Sequence, residues 1–157
     1  MFSHYLLAFL VSMLPIMELR VAIPIAMGLD LPYFPALFVC VCGNMLPVPF
    51  VFYFARKILK WGSDKKYIGG VCRFFLEKGE KAGAVLHTRA GKYGFFFALL
   101  LFVGIPIPGT GAWTGTLAAS FLNADFRSTV LAVCLGVILA GLIMAAASTG
   151  VFSMIGL

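Results

Sequence analysis

Few residues in this 157-residue chain could do chemistry, and most of them sit where the chain is otherwise apolar. Glu18 and Arg20 lie two positions apart in Pro15-Ile16-Met17-Glu18-Leu19-Arg20, between the apolar runs 2–17 and 21–29. An ionisable side chain inside a membrane span costs several kcal/mol and is a functional candidate by default. On a helix the two would point to different faces; in an unwound turn they could meet or serve separate partners. The second constellation is Pro106-Ile107-Pro108-Gly109-Thr110-Gly111, followed by Ala112 and Trp113. Its prolines and glycines cannot form a helix interior. Gly109, Thr110 and Gly111 can bring free backbone N–H groups close to a ligand, and a helix starting at Ala112 aims its positive end at them. That chemistry suits a phosphate or a carboxylate. Trp113 stands beside the turn, where a buried indole requires an acceptor.

Other polar positions have weaker claims. Asp125 and Arg127 flank the exit from the second constellation, either as a pair at a helix start or at a ligand entrance. Asn44 lies inside an apolar run and reads as an interhelical hydrogen-bonding group. Cys40, Cys42 and Cys134 lie in apolar runs as small hydrophobes, and Cys72 lies in a basic segment. His4 and His87 are assigned no role. The sequence holds no Ser/His/Asp arrangement, phosphate-binding Walker loop or cluster with metal-ligand spacing. Neither an enzyme nor a cofactor nor a metal is expected.

The elements that must position these residues follow from composition. Hydrophobic residues make up 62% of the chain and charged residues only 11%, which excludes a soluble globular domain, a disordered chain and a disulfide-rich module. Of the 12 Lys and Arg, ten fall between Arg56 and Lys92. With Asp64, Glu77 and Glu80 subtracted, that stretch carries +7 and the remainder of the chain −1. The basic residues flank apolar runs long enough to enter lipid, so the positive-inside rule explains them better than nucleic-acid binding does. Segment 56–92 is therefore expected in the cytoplasm, where it would attract anionic lipid. The N-terminal apolar run lacks a basic head and a small-residue cleavage site, and reads as a retained membrane segment.

Four apolar regions emerge, two of them interrupted. Residues 31–54 and 128–147 are uncharged and long enough to cross, with a kink expected at Pro47 and Pro49. Residues 2–17 and 21–29 are each too short, and so are 94–104 and 112–122, each reaching about 16 Å at 1.5 Å per residue. This is the arithmetic of a re-entrant hairpin, here expected to break at 18–20 and at 105–111. Gly111, Gly115 and Ala119 form a small-residue stripe on which the second half-helix can pack. In the basic segment, Phe75, Gly79, Ala82 and Leu86 give a weak amphipathic pattern. It fits either a helix on the inner membrane surface or a short solvated helix, while Gly69, Gly70 and Gly79 argue against continuity.

The expected fold is a single all-α polytopic membrane domain spanning 1–157. Its halves, 1–54 and 94–157, each consist of a re-entrant hairpin and a transmembrane helix, and the basic segment 55–93 joins them. Counting crossings relates the halves by inversion and puts both termini outside. Interrupted segments at matching positions in two halves point to a transporter binding site. So small a chain encloses little volume, which makes a homodimer the expected assembly.

Three stretches resemble a known prokaryotic family: Glu18-Leu19-Arg20-Val21-Ala22-Ile23-Pro24, Gly43-Asn44-Met45-Leu46-Pro47-Val48-Pro49, and Pro106 to Gly115. The resemblance is to the small multi-drug export proteins, a family related to the DedA (VTT-domain) membrane proteins, and it runs in order from about Pro15 to Gly141. It implies two facing re-entrant hairpins in the inner membrane and, through the DedA relatives, movement of a lipid-linked phosphate such as undecaprenyl phosphate. By position, Glu18 and Arg20 match the first hairpin's charged motif, and Arg127 resembles the arginine that follows the second hairpin in relatives. The expected function is thus a flippase or secondary transporter for an anionic amphiphile. Glu18, Arg20, Pro106, Pro108, Gly109, Thr110, Gly111, Trp113 and Arg127 would form the substrate site, with Glu18 or Asp125 also coupling protons. Export of cationic drugs through Glu18 is the first alternative, and a non-transporting membrane assembly partner the second.

Overall fold

A computed structural model of the chain describes residues 2–15, 17–65, 67, 69–107 and 110–155, without the side chains of 75, 79, 80, 82–90, 92 and 149–155. Every regular element among the described residues is a helix: α1 (Phe2–Met13), α2 (Glu18–Gly28), α3 (Tyr33–Met45), α4 (Val48–Ser63), α5 (Gly69–Gly104), α6 (Ala112–Phe121) and α7 (Phe126–Ile155).

Two stretches are long and apolar enough to cross a membrane: Tyr33–Ser63, with mean hydropathy 1.9, and Phe126–Ser148, with mean hydropathy 2.7. The first is bent at Leu46-Pro47, where both residues keep helical dihedrals, so the missing proline donor kinks the path without ending it. By contrast α1, α2 and α6 have 12, 11 and 10 residues. At 1.5 Å per residue each covers about 15–18 Å, roughly half a hydrocarbon core.

Three details depart from the sequence expectation. The first interruption is not at 18–20 but earlier: α1 ends at Met13, and Glu18 and Arg20 lie in the first turn of α2. The tight turn is closed by the Glu18 amide donating to the Leu14 carbonyl at 2.9 Å, and it leaves Glu18 at φ 48°. Nor does the basic segment begin as a loop. Helix α4 carries Arg56, Lys57 and Lys60 as far as Ser63, and α5 resumes at Gly69. Gly69, Gly70 and Gly79 do not interrupt α5; its break is at Gly91, whose φ of 64° is open to a residue without a Cβ. The amphipathic face expected from Phe75, Gly79, Ala82 and Leu86 lies outside the described side chains.

Packing places the short helices inside the molecule. Helix α1 packs on α2 and α3, α5 on α6 and α7, α2 on α7, and α6 on α4. The buried core runs along one face of α2 (Leu19, Ala22, Ile23, Ala26) and one face of α6 (Ala112, Ala119), closed by Val133 and Val137 of α7. The corner after α2 and the corner after α6 share one construction. In each, a residue at φ 57° follows the helix (Asp30 and Asn123, 93 positions apart), and the next amide returns to a carbonyl five residues back (Leu31 to Ala26, Ala124 to Ala119). That is a Schellman cap, with the left-handed position filled by the two residue types that tolerate it best after glycine. Gly43 and Gly136, again 93 apart, sit where α3 meets α1 and where α7 meets α5.

Candidate functional site

The breaks after α1 and α5 expose helix ends that must find partners inside the protein. Each finds them in the other half of the chain. Arg20, reaching from α2, donates through Nη1 to the Ile107 carbonyl and through Nη2 to the Ile105 carbonyl at 3.2 Å and the Thr110 hydroxyl at 2.9 Å. Its Nη2 also lies 3.5 Å from the Val103 carbonyl. The Thr110 hydroxyl in turn is 2.9 Å from the Ile107 carbonyl and 3.0 Å from that of Ile105. A guanidinium thus closes the negative end of α5, where its charge and its fork of donors are both used.

The opposite end of the second break carries the opposite charge. Glu18 Oε1 accepts the Trp113 amide at 3.2 Å, with the Ala112 amide adding a second contact, so the carboxylate rests on the positive end of α6. The backbone of Gly111 is extended, and its lack of a side chain is a matter of space. A Cβ there would stand 1.9 Å from Glu18 Oε2 and 2.6 Å from the carboxyl carbon. Trp113 completes the exchange: its indole N–H donates to the Met13 carbonyl at the end of α1, at 3.2 Å. The acceptor that this half-buried indole requires is therefore the C-terminal end of α1.

The structure brings Glu18, Arg20, Thr110, Gly111 and Trp113 together and sets Pro106 in the same turn. Pro108 and Gly109 lie outside the described residues. Asp125 does not join them; its Oδ2 accepts the Ser128 amide at 3.1 Å and its carbonyl accepts from Thr129, as a cap on α7. Arg127 is exposed in the first turn of α7, ten residues from Val137, or about 15 Å along the helix. Between the breaks is a cavity of about 10 Å³, lined by Glu18, Arg20, Asn44, Gly111 and Val137 among others. Asn44 is the residue that sequence reasoning undervalued: it is buried and lines this cavity, and its Oδ1 has no hydrogen-bond partner among the described residues. A polar residue inside an apolar span was the available signal. Cys40 is buried, Cys42 and Cys134 face outward to differing degrees, and all four cysteines are free thiols. Among the described residues no three His, Cys, Asp or Glu side chains gather around a metal-sized space.

Neither the curated proteins nor the solved structures yield a match to this chain. A family model does, over residues 18–143, and its description is "Putative small multi-drug export protein". The matched span begins at Glu18, the first charged residue of the site and the start of α2, and takes in the second break, the two candidate spans as far as residue 143 and the basic segment between them. A chain whose described elements are all helical, with apolar spans and a separate basic segment, fits a membrane protein of an export family, and this chain belongs to the family of small multi-drug export proteins.

Proposed function

We propose that the chain is a DedA-like secondary transporter that carries a lipid-linked phosphate, or a similar anionic amphiphile, across the inner membrane in exchange for a proton or another ion. The observation that carries this reading is the seat of the Glu18 carboxylate on the amino end of α6. An anion already occupies the cradle that a phosphate would use, held by backbone amides and a helix dipole. Protonation of Glu18 would free those donors for the substrate, and a phosphate arriving there would offer Arg20 a bidentate partner in place of the carbonyls it now caps. In this scheme Gly109 completes the cradle, while Arg127 and Asp125 act at the entrance.

Two re-entrant hairpins facing each other would put this exchange at the bilayer midplane. Support comes from helices too short to cross, from corners repeating at 93 positions, and from the traded packing partners: α1 lies on α3 as α5 lies on α7, and α2 on α7 as α6 on α4. With the basic segment 56–92 in the cytoplasm, both termini fall outside. The central cavity has room for about one water, so the conformation described is closed to any lipid head group. A homodimer would enlarge the enclosed volume.

Flux of a fluorescent lipid phosphate in reconstituted vesicles is the test. Arg20→Ala and Glu18→Gln should each reduce it at least tenfold while leaving a monodisperse protein. Unchanged flux in both folded variants would remove the assignment. The family description favours a second reading, export of cationic compounds with Glu18 as the buried counter-ion. Its signature is opposite at one residue: efflux lost in Glu18→Gln and retained in Arg20→Ala.

A further inference from the structure

We propose that the cavity beside Glu18 is a binding site for one small monovalent cation, taken up as Na⁺ or as a hydrated proton, and that Asn44 is its second ligand. The inference rests on the transport reading above and adds the residue that would hold the coupling ion. Two acceptors line the space. The Glu18 side chain is 6% exposed, and Asn44 is 2% exposed with an Oδ1 that meets no donor among the described residues. A buried, unpartnered amide oxygen forfeits about 1–3 kcal/mol, which a ligand at this point would recover. The donors of Arg20 that could reach into the cavity are turned instead to Ile105, Ile107 and Thr110. A void flanked by a buried carboxylate and an unpartnered amide oxygen calls for a cation or a donor, and about 10 Å³ admits one atom of water size.

The setting also limits how tightly such an ion is held. Arg20 is the one described titratable group that shares the cavity lining with Glu18; α3 contributes Asn44, α5 Val103, α6 Ala112 with Gly111 just before it, and α7 Val137 and Ala140. The ion therefore meets a single carboxylate whose charge is shared with Arg20 and the α6 terminus. Weak, reversible binding is what a coupling ion requires, because it must leave on the other side. The position 93 residues after Asn44 is Val137, which lines the same cavity, so among the described lining residues the side-chain oxygens come from the first half of the chain.

The test uses the full chain in detergent: wild type, Glu18→Gln and Asn44→Val, with unfolding temperature as the readout. One arm exchanges NaCl for choline chloride at constant ionic strength and fixed pH; the other varies pH in choline. A ligand at a hundred times its Kd should raise the wild-type midpoint by about 5–10 °C in a chain of this size. A response to Na⁺ identifies Na⁺. A response confined to the pH arm, lost in Glu18→Gln and displaced by at least one pH unit in Asn44→Val, identifies the proton. Asn44→Asp, which keeps an oxygen in place, should retain the response and guards against a valine variant that fails to fold. The proposal is overturned if the wild type is flat in both arms, the mark of a resident water only, or if Asn44→Val responds as the wild type does. An ion response without phosphate flux leaves the cation site and removes the transport reading; Glu18- and Arg20-dependent flux without any ion response does the reverse.

Discussion

Glu18 holds a position that no other residue in the chain could share. Its φ of 48° lies in the left-handed region, an uncommon conformation for a side chain of this kind, and such strain persists where surrounding contacts determine it. Here the determinants are the amides at the start of α6 and the bare Cα of Gly111. Gly111→Ala would drive a Cβ into the carboxylate and force it off the Trp113 amide. Loss of a charge-assisted hydrogen bond at a buried site costs about 1.5–3 kcal/mol. In a Glu18→Ala background the same methyl group enters vacated space, so the double-mutant cycle should return a coupling energy of at least about 1 kcal/mol, measured by thermal unfolding in detergent. Additive effects would mean that the carboxylate is not seated against Gly111.

The helices are held by close approach as well as by these caps, at Gly43 between α3 and α1 and at Gly136 between α7 and α5. A Cβ at Gly136 would stand 2.8 Å from both the Leu100 carbonyl and the Val103 Cβ, neither of which can swing aside. Gly136→Ala should therefore separate α7 from α5 and cost about 1–3 kcal/mol, even though alanine is the better helix former. Gly70→Ala is the matched control: nothing lies within 4 Å of that position in α5, so the propensity gain of up to about 1 kcal/mol should appear as a small rise in unfolding temperature. A fall for Gly70→Ala, or none for Gly136→Ala, contradicts the packing described. Much at this scale was legible in the sequence. The second break announces itself through prolines and glycines, and its flanking helices end within a residue or two of where composition places them. At the first break the charged residues draw attention from the turn itself, which contains Pro15 and no glycine. A charge can end a span and equally begin a helix; only the partner decides. Those partners, 85 to 100 residues away for Arg20, Glu18 and Trp113, leave no mark on local pattern. The cavity beside Asn44 is likewise a product of packing. The spacing of 93 residues between the matched corners and between Gly43 and Gly136 is visible only once the backbone conformations and contacts are known.

Across the whole molecule, charge is divided by task. The broken centre uses one acid and one base, each set against a helix end of opposite polarity, while the cationic excess is gathered on α4 and the first part of α5. In the inverted arrangement proposed above, exchanging the two halves presents similar apolar surfaces to lipid and gives little reason to prefer one orientation in a membrane. Under that proposal the basic segment would break the degeneracy, since Lys and Arg near span ends favour the cytoplasmic side. Cys72, half-buried on α5 within this segment, is suited to reporting it. In oriented spheroplasts and inverted vesicles, a membrane-impermeant maleimide should label Cys72 only where the cytoplasmic face is open to the reagent. Cys40, fully buried in α3, should stay unlabelled in both preparations, and Cys42 and Cys134 lie on the spanning helices, out of reach of a charged reagent. Neutralising Arg56, Lys57 and Lys60 together with Arg73, Lys78 and Lys81 should then yield labelling of Cys72 from both sides, as the two orientations become comparable in free energy. Strict one-sided labelling in that variant would assign orientation to some feature other than the basic segment.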